Sequence, residues 1–93
     1  MTIKSAYELA MERMGGAPIK KLTQQQKAKL AELDRIYTAK IAEAEFDLTP
    51  KISAARAAGR FEDADKLEET LRAEVAKLRR KLEDEKEKVR RGA

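Results

Sequence analysis

Residues 52–71 read ISAARAAGRFEDADKLEETL, and Gly59 is the only glycine between Gly16 and Gly92. Small residues lead up to it, and Glu62 and Asp63 follow it. A glycine at a helix end takes the left-handed conformation that stops the helix. Acidic residues just beyond favour the positive start of the next helix. Working outward from Gly59, pairs of positions that sum to 119 match in character: Ala55 with Ala64, Ile52 with Leu67, Leu48 with Leu71, Ala44 with Val75, Ile41 with Leu78, Tyr37 with Leu82, Leu33 with Lys86 and Leu30 with Val89. Only the pair holding Lys86 is not apolar on both sides. A constant sum is the signature of two antiparallel helices folded on one another. The fold class predicted is all-α: a long antiparallel coiled-coil helical hairpin, preceded by a short N-terminal helix.

The elements follow from start and stop signals. Ser5 and Glu8 form an S-x-x-E capping box, and Tyr7, Ala10, Met11 and Met14 share one face, which predicts a short helix at 5–14. Gly15, Gly16 and Pro18 end it and open a loop at 15–22. Thr23 and Gln26 form a second box, T-x-x-Q, starting a long helix at 23–58. The turn falls at 59–60 and the last helix at 61–91. Apolar steps of 4, 4 and 3 from Leu33 to Ala55 give an eleven-residue repeat, and therefore a nearly straight pair. Pro50 interrupts the backbone bonding of the long helix. The apolar repeat passes through it from Leu48 to Ile52 without a skip, so a bend is expected, with the helix resuming in phase. A long helix that opens at Gly59 and pairs between chains would use the same seam.

Composition narrows the function. Of the 93 residues, 41% are charged and 4% aromatic, the profile of long helices and coiled coils. No apolar run approaches the ~18 residues that span a bilayer, and the start MTIKSAYELA lacks the apolar core of a signal peptide. There is no Cys and no His. That removes disulfides, the usual zinc and haem ligands, and the customary base of a nucleophilic triad. Carboxylate neighbours such as Glu62-Asp63 and Glu68-Glu69 sit on solvated helices, with nothing to drive their acidities apart. No catalytic residue, metal ligand, cofactor or small-molecule substrate is expected, and the setting expected is cytoplasmic.

Charge is unevenly spread. Residues 1–30 carry +4, 31–59 carry −1, 60–76 carry −3 and 77–93 carry +4. A hairpin brings the first and last groups together, giving a rod with a basic open end and an acidic tip. Lys20, Lys21, Lys27, Lys77, Arg79, Arg80, Lys81, Arg90 and Arg91 are the candidate nucleic-acid contacts. Acidic residues at 83–87 interrupt the basic run, and no aromatics interleave for base stacking. Protein interaction therefore leads, and nucleic-acid binding is the alternative. A narrow seam buries little surface for its length, so the partner expected is a second copy, as a homodimer, or another helical protein. The residues expected to carry this are Leu30, Leu33, Tyr37, Ile41, Leu48, Ile52, Leu67, Leu71, Val75, Leu78, Leu82 and Val89 in the seam. At the tip, Gly59 turns the chain and Phe61 is expected to cover the hairpin end.

Residues 52–71 resemble the UVR motif, the short helical hairpin of the excision-repair subunits UvrB and UvrC and of McsA-type adaptors. Phe61-Glu62, Ala64, Leu67 and Leu71 stand in the matching places, and the resemblance spans about residues 48–82. Arg60 stands where that motif has an acidic cap, and Glu68 where it has Arg. The resemblance implies a protein-interaction hairpin that pairs with another such hairpin.

Overall fold

A computed structural model describes residues 21–92. The helix expected at 5–14, most of the loop that follows and Lys20 lie outside the described residues. Two helices, α1 (Gln24–Ala57) and α2 (Phe61–Arg90), pack against one another as an all-α hairpin.

The start of α1 is the capping box read from the sequence. Thr23 Oγ1 accepts from the Gln26 backbone N–H at 3.0 Å, and Gln26 Oε1 accepts from the Thr23 N–H at 2.8 Å. Two N–H groups that the helix cannot satisfy internally are thereby paired. α1 then runs unbroken through Pro50, with Ile52 still on the seam. Pro50 has no N–H to donate to the Phe46 carbonyl.

α1 ends in a Schellman motif. The Arg60 N–H reaches back to the Ala55 carbonyl at 2.8 Å, and the Gly59 N–H to the Arg56 carbonyl at 3.0 Å. The motif needs a left-handed residue at its centre, and Gly59 supplies it with φ +76°. α2 begins at once. Arg60 caps it with its backbone alone, for no side chain bonds the first turn. Glu62 and Asp63 in that turn offset the helix dipole instead.

The seam is the only core among the described residues. Ile52 and Ala64 are buried, and the other paired positions are half-buried. Ala64 is fully covered; with Ala55 opposite, it lets the two backbones come together beside the turn.

Candidate interaction surfaces

Each seam residue named above lies where the constant sum places it. Leu30, Leu33, Tyr37, Ile41, Ala44, Leu48, Ile52 and Ala55 line one side. Ala64, Leu67, Leu71, Val75, Leu78, Leu82 and Val89 line the other, all buried or half-buried. These residues are occupied with one another inside a single chain.

Lys86 does not break the seam. Its side chain is only 17% exposed, and Nζ lies 2.9 Å from Asp34 Oδ1. The aliphatic stem fills the position opposite Leu33 while the ammonium leaves at the edge. The open end is fastened a second time: Gln26 Nε2 donates to the Val89 carbonyl at 3.0 Å. One side chain thus caps α1 and shares the Val89 carbonyl at the end of α2 with the Gly92 N–H.

At the tip, Phe61 is 61% exposed. It does not cover the hairpin end as the sequence led us to expect. A residue at the first position of a helix, one step past the turn, points outward, and the buried Ala64 closes the end. A cross-helix ion pair completes the closure. Arg56 lies 2.6 Å from Glu68 and 3.4 Å from Asp65. The Arg56 guanidinium holds the Glu68 carboxyl below its ordinary value. Glu68, one of the two residues that depart from the UVR pattern, is therefore engaged within the hairpin.

The charged surface divides differently from the plain count. At the open end Lys86, Lys88, Arg90 and Arg91 pair with Asp34, Glu85, Glu83 and Glu87. Arg90 and Arg91 are thus partly neutralised by their own helix, a correction to the simple basic end. Further along α2, Lys77, Arg79, Arg80 and Lys81 have no carboxylate of the described residues within 4.0 Å, and neither do Lys21, which precedes α1, and Lys27 on α1. These four residues of α2 form a belt about 14–20 Å short of its end, at 1.5 Å per residue.

The outward faces of the two helices are unlike. The outer face of α2 carries Lys66, Glu69, Ala73, Arg80 and Asp84. The face of α1 opposite the seam carries Ala39, Ala42, Phe46 and Pro50, all exposed, with Phe46 at 82%. Ile36, at 38%, borders it. α1 is therefore apolar on two sides, and the seam covers one. The sequence held this signal, since a helix apolar on opposite sides has two surfaces to bury. Gln26, Asp34, Arg56 and Glu68 are residues that the apolar pairing alone does not pick out.

Among the described residues no cluster of Asp or Glu is placed to hold a metal ion, and no helix is long and apolar enough to cross a membrane. The grooves along the hairpin are open ones, such as that formed by Lys40, Ala44, Phe46, Asp47 and Leu78. No protein-family model matches the chain, and comparison with curated proteins and with solved structures returns no match.

Proposed function

We propose that the chain is a non-catalytic protein-interaction and oligomerisation module, with the hairpin as a rigid arm presenting the outer face of α1. The observation that carries this is the exposure of Phe46, at 82%, beside Ala39, Ala42 and Pro50 on the side of α1 opposite the seam. Isolated exposed apolar residues are ordinary on protein surfaces. Here the aromatic ring, Pro50 and the alanines share one side of one helix, while the other helix is charged outward. The resemblance to the UVR hairpin supports the same reading, with Phe61 at the tip as a secondary contact. A cytoplasmic setting belongs to it as well.

The test uses Phe46→Glu in the full chain. Phe46 is outside the seam, so helicity and urea midpoint should stay unchanged. Self-association, or capture of a partner protein on immobilised chain, should fall at least tenfold. If the variant associates as the parent does, this face is not the working surface.

A second reading, nucleic-acid binding, is favoured by the unpaired belt Lys77, Arg79, Arg80 and Lys81. Four phosphate contacts would give a salt slope near −3.6, or about a hundredfold loss of affinity between 50 and 200 mM salt. Replacing Arg79, Arg80 and Lys81 by Glu should abolish that binding while the hairpin still folds. Binding that ignores salt would exclude this reading.

A further inference from the structure

The interaction reading leaves the partner open, and the geometry of α1 narrows it. We propose that the outer face of α1 takes a second copy of this chain, laid antiparallel with the two outer faces in contact. The inference rests on the interaction reading above and adds the identity and direction of the partner.

The helical period places Ala31, Ala39, Ala42, Phe46, Pro50 and Ala57 along this face, every one exposed. Glu32, Arg35 and Glu43 are the charges that share this side, and Arg35 is bound to Glu32. The stretch from Ala31 to Ala57 is centred on residue 44. An isologous dimer must meet itself, so that each contact is made twice about a two-fold axis. Antiparallel pairing centred there sets Phe46 over the partner's Ala42 and Ala39 beside the partner's Thr49. Large meets small at the centre of the contact.

The charges on the flank choose the direction. Lys40 and Asp47 lie on the same edge of the face, nearly equidistant from its centre. Antiparallel pairing brings each Lys40 to the partner's Asp47. Parallel pairing would carry Lys40 and Asp47 to opposite edges of the contact, away from each other, and set Phe46 on Phe46. Within the chain, Asp47 meets only Lys51, at 3.8 Å, and Lys40 only the Tyr37 ring, at 5.1 Å. Both therefore have capacity for a partner. The longer-range field agrees, because residues 60–76 carry −3 and residues 77–92 carry +4. Antiparallel rods place tip against base. One like-charge approach remains, Glu43 against its copy near the two-fold axis.

The size of the contact sets the affinity. About 26 residues at 1.5 Å each, across a helix about 10 Å wide, bury roughly 800 Å² in all, the size of a weak, transient contact. A dissociation constant of about ten micromolar or weaker is expected.

The chain has no Trp and no Cys, which makes the test clean. Phe46→Trp gives a single fluorophore on the face. Its emission should shift to the blue as the full chain is raised from about 1 µM to 1 mM, in step with dimer formation by sedimentation. A spin label at Lys29→Cys should show an interchain distance of about 45 Å, since antiparallel pairing sets Lys29 level with position 59 of the partner. Lys40→Asp or Asp47→Lys alone should weaken the dimer about fivefold, and the double exchange should restore it. Glu43→Gln should tighten it.

A blue emission independent of concentration would mean that the chain's own residues 1–20 cover the face, and overturns the proposal. So does a chain that stays monomeric to 1 mM, or labels closer than about 20 Å. A monomer whose capture of another protein is still lost with Phe46→Glu overturns the second copy and leaves the interaction reading standing. A monomer indifferent to Phe46→Glu in every assay removes both.

Discussion

Replacing Lys86 tests how a charged residue serves an apolar seam. Its side chain is about five-sixths covered, and its ammonium meets Asp34, which is itself 52% exposed. Two contributions are separable. Truncation to Ala removes three methylenes, worth about 0.8 kcal/mol each when buried, or about 2 kcal/mol after scaling for the residual exposure. The ion pair, with one partner half in water, is worth ~0.2–1 kcal/mol. Ala regains a few tenths of a kcal/mol in helix propensity. Lys86→Ala should therefore destabilise the hairpin by about 2 kcal/mol. Lys86→Met keeps an unbranched apolar stem and drops only the charge, so its loss should stay below ~1 kcal/mol. Urea unfolding followed by circular dichroism at 222 nm, at one fixed protein concentration, resolves that difference. Raising salt should move the parent towards Lys86→Met and leave the Ala variant's deficit. If Met and Ala cost the same, or if high salt erases both differences, the residue acts through charge and the packing argument fails.

Three further outcomes follow from the backbone and the cross-helix pair. Gly59→Ala should cost about 1 kcal/mol: a Cβ there meets nothing within 4 Å, so the loss is the left-handed strain less the entropy gained from a stiffer unfolded chain. Gly59→Asn should cost less, and an unchanged urea midpoint for the Ala variant would count against the φ +76° turn. Pro50→Ala should raise stability by ~1–3 kcal/mol by restoring a donor to the Phe46 carbonyl, and a lower melting temperature would contradict the unbroken helix. Glu68 titrates below its ordinary value of 4.5 in the folded chain, held there first by the hydrogen bond from Arg56. Its contribution is present above the unfolded carboxylate value and is lost as pH falls through the folded one. The urea midpoint of the parent should thus fall more steeply below about pH 4.5 than that of Glu68→Gln, and parallel curves would show that the pair adds nothing.

Much of the fold was legible because it rests on short-range rules. Gly59 between small residues and Glu62-Asp63 marked the turn. Thr23 and Gln26 marked a helix start, and the constant sum fixed which residues face each other. Side-chain reach across the seam was less visible. Asp34 and Lys86 sum to 120, and Arg56 and Asp65 to 121. Those opposite charges, just off the apolar constant, were the available clue to the ion pairs. Gln26 to Val89 obeys no such sum, because a helix cap and a last-turn carbonyl meet there rather than two ladder rungs. Phe61 was misplaced because an aromatic beside a turn suggests a lid, whereas the direction of a first-turn side chain follows from the backbone geometry of the turn. The unpaired belt at 77–81 emerged only once each lysine and arginine could be matched with a carboxylate in space.

The Gln26–Val89 fastening has a mechanical consequence. Thr23 and Gly92 line one groove at the mouth of the hairpin, so a load applied through these two ends does not shear the rod along its length. It peels the helices apart like a zip, one rung at a time. The amide latch and the Lys86–Asp34 strut yield first, and the alanine-packed rungs at Ala55 and Ala64 yield last. Such a hairpin is stiff to forces along its side and compliant at its mouth. Closing would run the other way, from the glycine turn outward, with Gln26 as the last contact made.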